Sequence, residues 1–517
     1  MIKCYSIIPF LLIAQRLLSQ TVQADFSIPS QVCVNENWQP INLSVGAASY
    51  EWDFCQGDLA QHPNASFIKT LGGGVTTGID LVFDGANWFG FITSQGTNSI
   101  LRLDYGPDIY STPIVNDLGN IDGNINAPTD IKIVSENGNW FGFVYGLSDP
   151  IISRINFGSS LTNTTSGPIP ITSDPLLSGA GSVNAGLDVI KDGSDWTIVL
   201  TLNSSFTVIR LPTITSMPLP LDIISGIVSP FGNTLGDLVL QEYNGNFYGF
   251  VVAHGNRTLQ RLSFGSSVFS IPVIDNISLS VLSGVTPYGI DIGHDNGIYY
   301  LLISTLQGDL LRISLGQDIS IIDVTGSSLG FLSVLENTLK IRLVYSEGRW
   351  VAFSPSWNTT RLYRIDFPEP LSCPSEISFS TLEAPELKYI ASGTQYITLK
   401  SSNGGNFEVV SKPILIGSQI APDISFSSQN ICANHDINFT SENVSGGITD
   451  YNWDFGDTNT SMLENPTHQY TSAGEYEVLL NVTASNGCNN IARQNITIYN
   501  EPVPDFNLPA AAPICTN

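Results

Sequence analysis

Six segments in the middle of the chain repeat one another, and this repeat limits the possible folds more than any other feature. Each segment combines an apolar strand, a glycine turn, an aromatic-rich strand and a third strand that carries an arginine. The arginine recurs at spacings of 51 to 56 residues, at Arg102, Arg154, Arg210, Arg261, Arg312 and Arg364. The aromatic residues that follow the turns are Trp88, Trp140, Trp196, Phe247, Tyr299 and Trp350.

Units of four short strands over about 50 residues are typical of β-propeller blades. The sequence therefore predicts an all-β protein with a six-bladed β-propeller over residues 61–372. The sixth repeat stops after its third strand, "RLYRIDFP", and the stretch "ASFIKTLGG" (65–73) is predicted to supply the missing strand. Closure of this kind removes a free sheet edge and brings the two ends of the propeller together.

A second pattern occurs on both sides of the repeats. The stretch "YEWDFCQGDL" (50–59) is matched by "YNWDFGDTNT" (451–460). After the later copy, "ENPTHQYTSAG" follows at once, whereas its counterpart "EAPELKYIASG" (383–393) comes only after the sixth repeat. One small domain has therefore been divided by the insertion of the propeller, which is tolerated at loops when the ends of the insert lie close together.

The domain boundaries follow from this alignment. We expect a split β-sandwich with halves at residues 25–60 and 373–417, and an intact sandwich at residues 422–500. Residues 501–517 are expected to hold a linker and the start of a truncated third copy, so that the protein continues into further domains of this type.

Charge and the N-terminal stretch limit the location and the partners. Residues 1–24 have a secretory signal pattern, with Lys3, an apolar stretch and small residues before a cut after Ala24. No later window is apolar enough to span a membrane, so we predict a secreted or cell-surface chain. The formal net charge of −26 argues against a nucleic-acid partner, since phosphate contacts require clustered Lys and Arg.

The stretch "WDFGD" at Trp453–Asp457, followed by "NPTHQYTSAGEYEVLLNVT", closely resembles polycystic kidney disease (PKD) domains. The resemblance implies an immunoglobulin-like sandwich of an extracellular protein. The split copy resembles the family less closely, because "WDFCQGD" has Cys55 in place of the glycine and one extra residue. The whole arrangement is similar to Bacteroidetes surface proteins, a group with gliding adhesins and type IX secretion.

Six cysteines remain after the predicted signal and, in an exported chain, are disulfide candidates. Cys55 and Cys373 flank the insertion and are predicted to bond. Within the PKD-like copy we predict a bond between Cys432 and Cys488. Cys33 corresponds to Cys432 but lacks a counterpart of Cys488, so it either competes with Cys373 for Cys55 or remains free. The pairing of Cys515, in the third copy, is left open.

An aspartate opens the first strand of five repeats, and Lys340 holds the place in the sixth. The aspartates are Asp80, Asp130, Asp188, Asp237 and Asp291. They could form a ring of carboxylates that binds a cation in the central channel. Their regular repetition favours a structural role, because active sites need different residues in different roles. We expect each one to pair with the repeated arginine or with a turn amide of its own blade.

Aromatic residues that depart from the repeat are the candidates for ligand contact. They are Tyr110, Tyr145, Phe231, Tyr288 and Trp357. The repeated turn aromatics are instead expected to pack between blades. No catalytic motif is recognised, although His254 and His294 could meet across neighbouring blades. The loop at 117–130 contains many oxygen ligands but lacks EF-hand spacing, so Ca²⁺ binding is the weaker interpretation and no cofactor is predicted.

The favoured function is binding rather than catalysis. We expect an exported adhesion protein whose propeller, displayed on a PKD stalk, recognises an extracellular glycan or surface protein. Two alternatives stay open: a glycosidase or lyase that uses the mouth of the propeller channel, and a structural spacer without a ligand.

Overall fold

The regular secondary structure of the described residues is almost entirely β-strand. A computed structural model describes residues 22–55, 57–72, 74–147, 151–165, 172–178, 186–230, 234–322, 324–331, 335, 337–368, 373–403, 406–429, 432–443 and 447–500. Short 3-10 helices lie at Asp58–Ala60, Ile121–Gly123, Pro220–Asp222 and Ser280–Leu282. Within these ranges no helix has the length and apolar character that a membrane crossing requires. Most of the predicted signal, residues 1–21, lies outside the described residues.

Six four-stranded antiparallel sheets occupy residues 64–366, and we number them 1 to 6 in chain order. Sheets 1 and 2 contain Thr76–Phe83, Trp88–Ser94, Ser99–Gly106 and Ile114–Asp117, and then Pro128–Glu136, Asn139–Gly146, Ile151–Gly158 and Thr172–Ser178. Sheets 3 and 4 contain Leu187–Asp192, Asp195–Leu202, Ser205–Leu211 and Ile223–Val228, and then Leu235–Tyr243, Asn246–Ala253, Thr258–Gly265 and Val273–Ile277.

Sheet 5 contains Pro287–Asp295, Ile298–Thr305, Asp309–Gly316 and Thr325–Phe331. Sheet 6 takes three strands from the end of the series and one from before its beginning: Arg342–Ser346, Arg349–Pro355, Arg361–Asp366 and Asn64–Thr70. In this sheet Arg364 lies opposite Ser66, so the stretch expected to complete the sixth unit does pair with its third strand.

Hydrophobic clusters join each sheet to the next in a closed cycle. Five clusters connect sheets 1 to 6 in order, and a further one joins sheet 6 back to sheet 1. In that closing cluster, Phe353 and Leu362 of sheet 6 pack with Ile79 and Trp88 of sheet 1. The repeated turn aromatics belong to these clusters, as expected from their position. Burial of this apolar surface between neighbouring sheets is the main force that stabilises the closed cycle.

The first sandwich is built from segments on both sides of the six sheets. Its larger sheet has the order Gln31–Val34, Asn406–Ile420, Gly393–Asn403, Ser49–Asp53 and Phe379–Ser380, and Phe26–Ser27 pairs with Ile41–Asn42. Leu399 lies opposite Trp52, so strands from before and after the six sheets are direct neighbours. Trp52 is fully buried, and its indole Nε1 donates to the carbonyl of Leu382 at 2.9 Å.

The second sandwich follows without interruption. One sheet contains Ile424–Gln429, Ile437–Asn443 and Thr467–His468, and the other contains Thr460–Ser461, Ile448–Asp454, Gly474–Ala484 and Asn489–Ile498. Trp453 is fully buried, and its Nε1 donates to the carbonyl of Leu463 at 2.9 Å. Trp453 thus repeats the arrangement of Trp52 in the first sandwich.

The disulfides differ from the prediction for Cys432 and also for Cys33, which neither bonds to Cys55 nor remains free. Cys55 and Cys373 are joined, but Cys488 is bonded to Cys33 of the first sandwich and not to Cys432, which is a free thiol within the described ranges. Cys432 pairs with Tyr499 at one end of the strand Asn489–Ile498, and Cys488 precedes the other end. A ten-residue strand is roughly 30 Å long, far beyond the reach of a disulfide. The predicted Cys432–Cys488 bond is therefore wrong.

Candidate functional site

The five repeated aspartates lie on the innermost strands, where all five are buried. Each carboxylate accepts a hydrogen bond from a backbone amide of the following sheet. The donors are Ile133 for Asp80, Leu187 for Asp130, Leu240 for Asp188, Ile290 for Asp237 and Leu343 for Asp291, at 2.6 to 3.1 Å. The aspartates thus join consecutive sheets. Four of them also accept a hydrogen bond within their own strand, from the amide of the next residue rather than from the turn amide that the sequence predicted: Asp130, Asp188, Asp237 and Asp291.

Three cations balance part of this carboxylate ring: Lys340 is buried, and Lys132 and Arg342 are partly buried. Lys340 Nζ lies 2.7 Å from Asp130 Oδ2 and 2.5 Å from Asp237 Oδ1. Arg342 reaches Asp80 at 2.8 Å and Asp291 at 3.4 Å, and Lys132 reaches Asp188 at 2.9 Å. Five carboxylates thus face three cations in a space from which water is largely removed.

Burial raises the pKa of Asp237 to about 6, although Lys340 acts in the opposite direction. Burial also raises the pKa of Asp291. In contrast, the pKa of Asp188 is lowered: burial would raise it, but Lys132 and Arg342 outweigh that effect. The charge state of the ring therefore depends on its lysine and arginine partners.

The repeated arginines do not pair with the repeated aspartates, which corrects the other half of that prediction. Four of them donate to carbonyls in the outer part of the following sheet: Arg102 to Leu161, Arg154 to Ile214, Arg261 to Ile319 and Arg364 to Tyr110. Arg312 donates to Leu59, just before the outer strand of sheet 6, and Arg210 instead pairs with Asp222 and packs on Phe269. The repeated aspartates therefore link neighbouring sheets at their innermost strands, and the repeated arginines link them in their outer parts.

A cavity of about 310 Å³ opens at one end of the carboxylate ring, the end at which the first strand of each sheet begins. Its lining includes the charged residues Lys340 and Asp237 and the aromatic residues Tyr288 and Trp357. Trp357 is 41% exposed, although it is a large aromatic residue. Apolar surface is contributed by Leu147, Leu306 and Leu339, and polar groups by Thr77, Gln95 and Thr129. A concave site with a few polar groups between apolar walls has the general character of a small-ligand site.

One wall of this cavity is held in place by ring stacking. His254 and Tyr288 are nearly parallel, with ring centroids 4.7 Å apart. Burial lowers the pKa of His254, which favours the neutral imidazole at neutral pH. Its Nε2 is buried and has no hydrogen-bond partner in the part of the chain that the structure describes. Stacking on a neutral ring fixes the orientation of the Tyr288 side chain beside the cavity.

The opposite end of the ring has a second cavity, of about 490 Å³, that faces the first sandwich. It is lined by charged ring residues, by four of the turn tryptophans and by Val409 of the sandwich. The sandwich also contacts the neighbouring turns, where Phe379 packs on Gly348 and Lys400 donates to the carbonyl of Tyr345. The two ends of the ring are thus different, and the cavity with Trp357 lies away from the sandwich.

The five candidate ligand aromatics have different locations. Tyr288 and Trp357 line the first cavity, whereas Tyr145 is buried between sheets 2 and 3. Tyr110 lies near the guanidinium groups of Arg349 and Arg364, at 4.9 and 5.3 Å, in the contact between sheets 1 and 6. Phe231 falls outside the described residues.

The pairing of Lys132, Lys340 and Arg342 with the carboxylate ring was not predicted, although the sequence contained a usable signal. Lys132 and Arg342 stand two residues after the repeated aspartate position in their units, and Lys340 occupies that position itself. Residues two apart on a strand face the same side, so these cations must point toward the ring of carboxylates. The two histidines do not meet: His294 packs on Tyr299 at the other end of the first strand.

The carboxylates of the loop at 117–130 do not converge on one point. Asp117 accepts from the amide of Gly119, and Asp130 belongs to the ring, where it holds Lys340. Among the described residues no three His, Cys, Asp or Glu side chains form a group that could hold a metal ion.

Comparisons with known proteins concern the second sandwich. Residues 420–498 match the PKD domain family, so the PKD domain predicted there is confirmed. A microbial collagenase of Vibrio alginolyticus is 40% identical over 80 residues, which is 16% of this chain and 9% of the collagenase. Pre-pro-metalloprotease PrtV of Vibrio cholerae is 31% identical over 131 residues, or 23% of this chain and 13% of PrtV.

A solved structure of the PKD1 domain of PrtV from Vibrio cholerae is 36% identical and covers 15% of this chain and 98% of that domain, with a TM-score of 0.14. The matched region spans only about a tenth of the length of the curated relatives. The similarity therefore assigns a PKD domain to this chain and leaves the six sheets and their cavity without an assigned function.

Proposed function

We propose that this chain is an extracellular binding protein whose six sheets are the blades of a β-propeller displayed on PKD-type sandwiches. The closed cycle of clusters and the completion of sheet 6 by Asn64–Thr70 support the propeller. The proposed ligand is a glycan, bound at the cavity that contains Tyr288 and Trp357. Display on a cell surface, of the kind seen in Bacteroidetes adhesins, is part of the same proposal.

The observation that carries this proposal is the composition of the open cavity. Tyr288 and the exposed Trp357 offer flat apolar faces, and Lys340, Asp237 and Thr129 offer polar groups nearby. Sugar rings combine an apolar face with a rim of hydroxyls, so they match a site in which aromatic rings adjoin hydrogen-bonding groups. The location of the cavity, on the side away from the first sandwich, leaves it accessible to a ligand that belongs to another cell or to the matrix.

An enzyme is the competing interpretation, since Asp237 borders the cavity with its pKa raised by burial to about 6. A carboxyl with a raised pKa is a general requirement for acid catalysis of glycoside cleavage. However, both oxygens of Asp237 are engaged, Oδ1 by Lys340 and Oδ2 by the amide of Ile290. These bonds favour a structural carboxylate over a proton donor, so binding is the better supported function.

The test is a glycan and matrix-protein array probed with the whole chain and read repeatedly over time. We expect retained signal on a set of related glycans and its loss in the Trp357→Ala and Tyr288→Ala variants. Phe67→Ala is the matched control, because Phe67 is an aromatic residue of sheet 6 that is 49% exposed and lies outside the cavity. Signal on proteins alone would replace the glycan by a protein ligand. Signal that decays as shorter sugars appear would establish an enzyme, and an array without signal would favour a spacer.

A further inference from the structure

Cys432 occupies in the second sandwich the place that Cys33 occupies in the first. Each cysteine is followed two residues later by an asparagine with positive φ, 65° at Asn35 and 61° at Asn434. The amides of both asparagines donate to a tyrosine carbonyl at 2.8 Å, in one case Tyr389 and in the other Tyr470. Both cysteines also pair in parallel with the end of the last strand of their own sandwich. The two positions are therefore structurally equivalent.

At the first of these positions the cysteine links two domains. Cys33 is bonded to Cys488, which lies in the last hairpin of the following sandwich, with the Cα atoms 5.9 Å apart. Cys33, Cys488 and Ala421 form a small buried cluster at this junction. The amide of Ala421 donates to the carbonyl of Val34 at 2.7 Å, which ties the linker to the same point.

A second residue of the same hairpin completes the junction. Asn490 Oδ1 accepts from the amide of Asn37 at 3.0 Å, and its Nδ2 donates to the carbonyl of Pro422 at 2.6 Å. Asn490 is 5% exposed, so its amide group is committed to this contact. The hairpin of one sandwich thus contacts the preceding sandwich through a cysteine and, two residues later, an asparagine.

The hairpin of the first sandwich lacks both docking residues. Its sequence is "SNGGNF" (402–407), where the second sandwich has "SNGCNN" (485–490). Gly405 and Phe407 therefore stand at the positions of Cys488 and Asn490. The two docking residues occur together on the sandwich that follows another one, and both are missing from the sandwich that no other precedes in this sequence.

The stretch that opens each sandwich occurs a third time. The sequence "APDI" (421–424) followed by "ICAN" (431–434) is matched by "VPDF" (503–506) followed by "ICTN" (514–517). This third copy repeats the linker proline and the cysteine that begin the second sandwich. The repeated unit in the sequence is therefore a sandwich together with the linker that positions it on the one before.

We propose that Cys432 is the attachment point for a further PKD-type sandwich, the one opened by this third copy. The thiol of Cys432 forms a disulfide with the cysteine in the last hairpin of that sandwich, in the register that Cys488 adopts on Cys33. In the described structure Cys432 is a free, half-buried thiol. Cys33 would be in the same state if the following sandwich were absent. Oxidation removes two protons and two electrons from the two thiols. A disulfide-containing oxidant accepts them, as when oxidised glutathione becomes two molecules of reduced glutathione.

The test is a tandem chain in which residues 501–517 are replaced by a second copy of residues 419–500. This exchange removes Cys515 and places the hairpin cysteine of the appended copy within reach of Cys432. After refolding in a glutathione redox buffer, disulfides are assigned by mass spectrometry of non-reduced peptides. We expect a bond between Cys432 and the Cys488 of the appended copy, while the appended Cys432 stays a thiol. The Cys33–Cys488 bond in the same molecule is the internal control for folding.

Two further variants of the tandem make the result decisive. Asn490→Phe in the appended copy imitates Phe407 and should make the new disulfide more easily reduced by glutathione, with Cys33–Cys488 unchanged. Cys488→Ser in the appended copy removes the bond but keeps docking, so Cys432 should react more slowly with a maleimide than in the chain of residues 1–500. The proposal is overturned if Cys432 stays a thiol or pairs elsewhere while Cys33–Cys488 forms, or if maleimide reacts equally fast in both chains.

Discussion

Replacement of Lys340 by methionine should destabilise the ring of six sheets strongly. The ammonium group lies 2.7 Å from Asp130 and 2.5 Å from Asp237, and all three side chains are buried. Without it, two carboxylates remain in the interior with no cation between them. Removal of one partner from a buried ion pair costs about 3–5 kcal/mol, because the remaining charge is left uncompensated. Methionine keeps most of the volume of the lysine stem, so loss of packing contributes little.

The size of this loss should depend on pH. Burial raises the pKa of Asp237 from its ordinary value of 3.8 to about 6 in the folded chain, and it would rise further without Lys340. A carboxyl with a raised folded-state pKa binds its proton more tightly when folded, so its contribution to stability is present at low pH and declines as pH rises through that pKa. The Lys340→Met variant should therefore lose more stability at pH 8 than at pH 5, where a proton replaces the missing charge.

Urea unfolding at the two pH values, followed by tryptophan fluorescence, measures this effect. The double variant Lys340→Met/Asp237→Asn should recover part of the loss at pH 8, because it removes one of the two uncompensated charges. Lys191→Met is the matched control, since the exposed Lys191 lies 3.8 Å from Glu136 at the surface and surface ion pairs contribute about 0–1 kcal/mol. Equal losses at both pH values, together with no recovery in the double variant, would show that Lys340 acts through packing and not through charge.

Two more changes test the junction between the six sheets and the first sandwich. Gly297→Ala should lower the free energy of unfolding more than Gly316→Ala. Both residues have positive φ, which costs about 1–2 kcal/mol for alanine, but only at Gly297 would the new methyl carbon also overlap a side chain, the ring of Tyr396. Equal losses in denaturant titrations would contradict this reasoning. The double variant Cys55→Ser/Cys373→Ser should destabilise the first sandwich by about 5 kcal/mol, because the bond closes a loop across a sequence separation of 318. Thermal melting of the oxidised wild type and the variant measures this, and unchanged melting would show that the sheets alone hold the two halves together.

Local sequence patterns were sufficient for much of the architecture. The strands, the glycine turns and the closing strand at Asn64–Thr70 follow from alternation and repetition over a few residues. The two buried tryptophans, Trp52 and Trp453, follow from one motif that occurs twice. These features depend on residues close together in the chain, or on the comparison of one copy with another.

The site was only partly predictable, since its members come from different sheets. Tyr288 and Trp357 were identified because they depart from the repeat, and they do line the cavity. Tyr145 departs from the repeat in the same way but is buried between two sheets. Whether such a residue faces a cavity or a neighbouring sheet depends on how the six sheets pack against one another. The pattern within one repeat does not contain this arrangement.

The sequence by itself determined that the chain is all-β, that a sixfold series of sheets interrupts one sandwich, and that a PKD-like sandwich follows at residues 422–500, where the family match to residues 420–498 confirms a PKD domain. Only the tertiary structure decided the partners. The aspartates and arginines fasten neighbouring sheets rather than pairing with each other, and Cys488 bonds to Cys33 rather than to Cys432. The physical reason is that strand pattern is encoded over a few residues, whereas these contacts join groups that approach each other only after whole sheets and domains have packed.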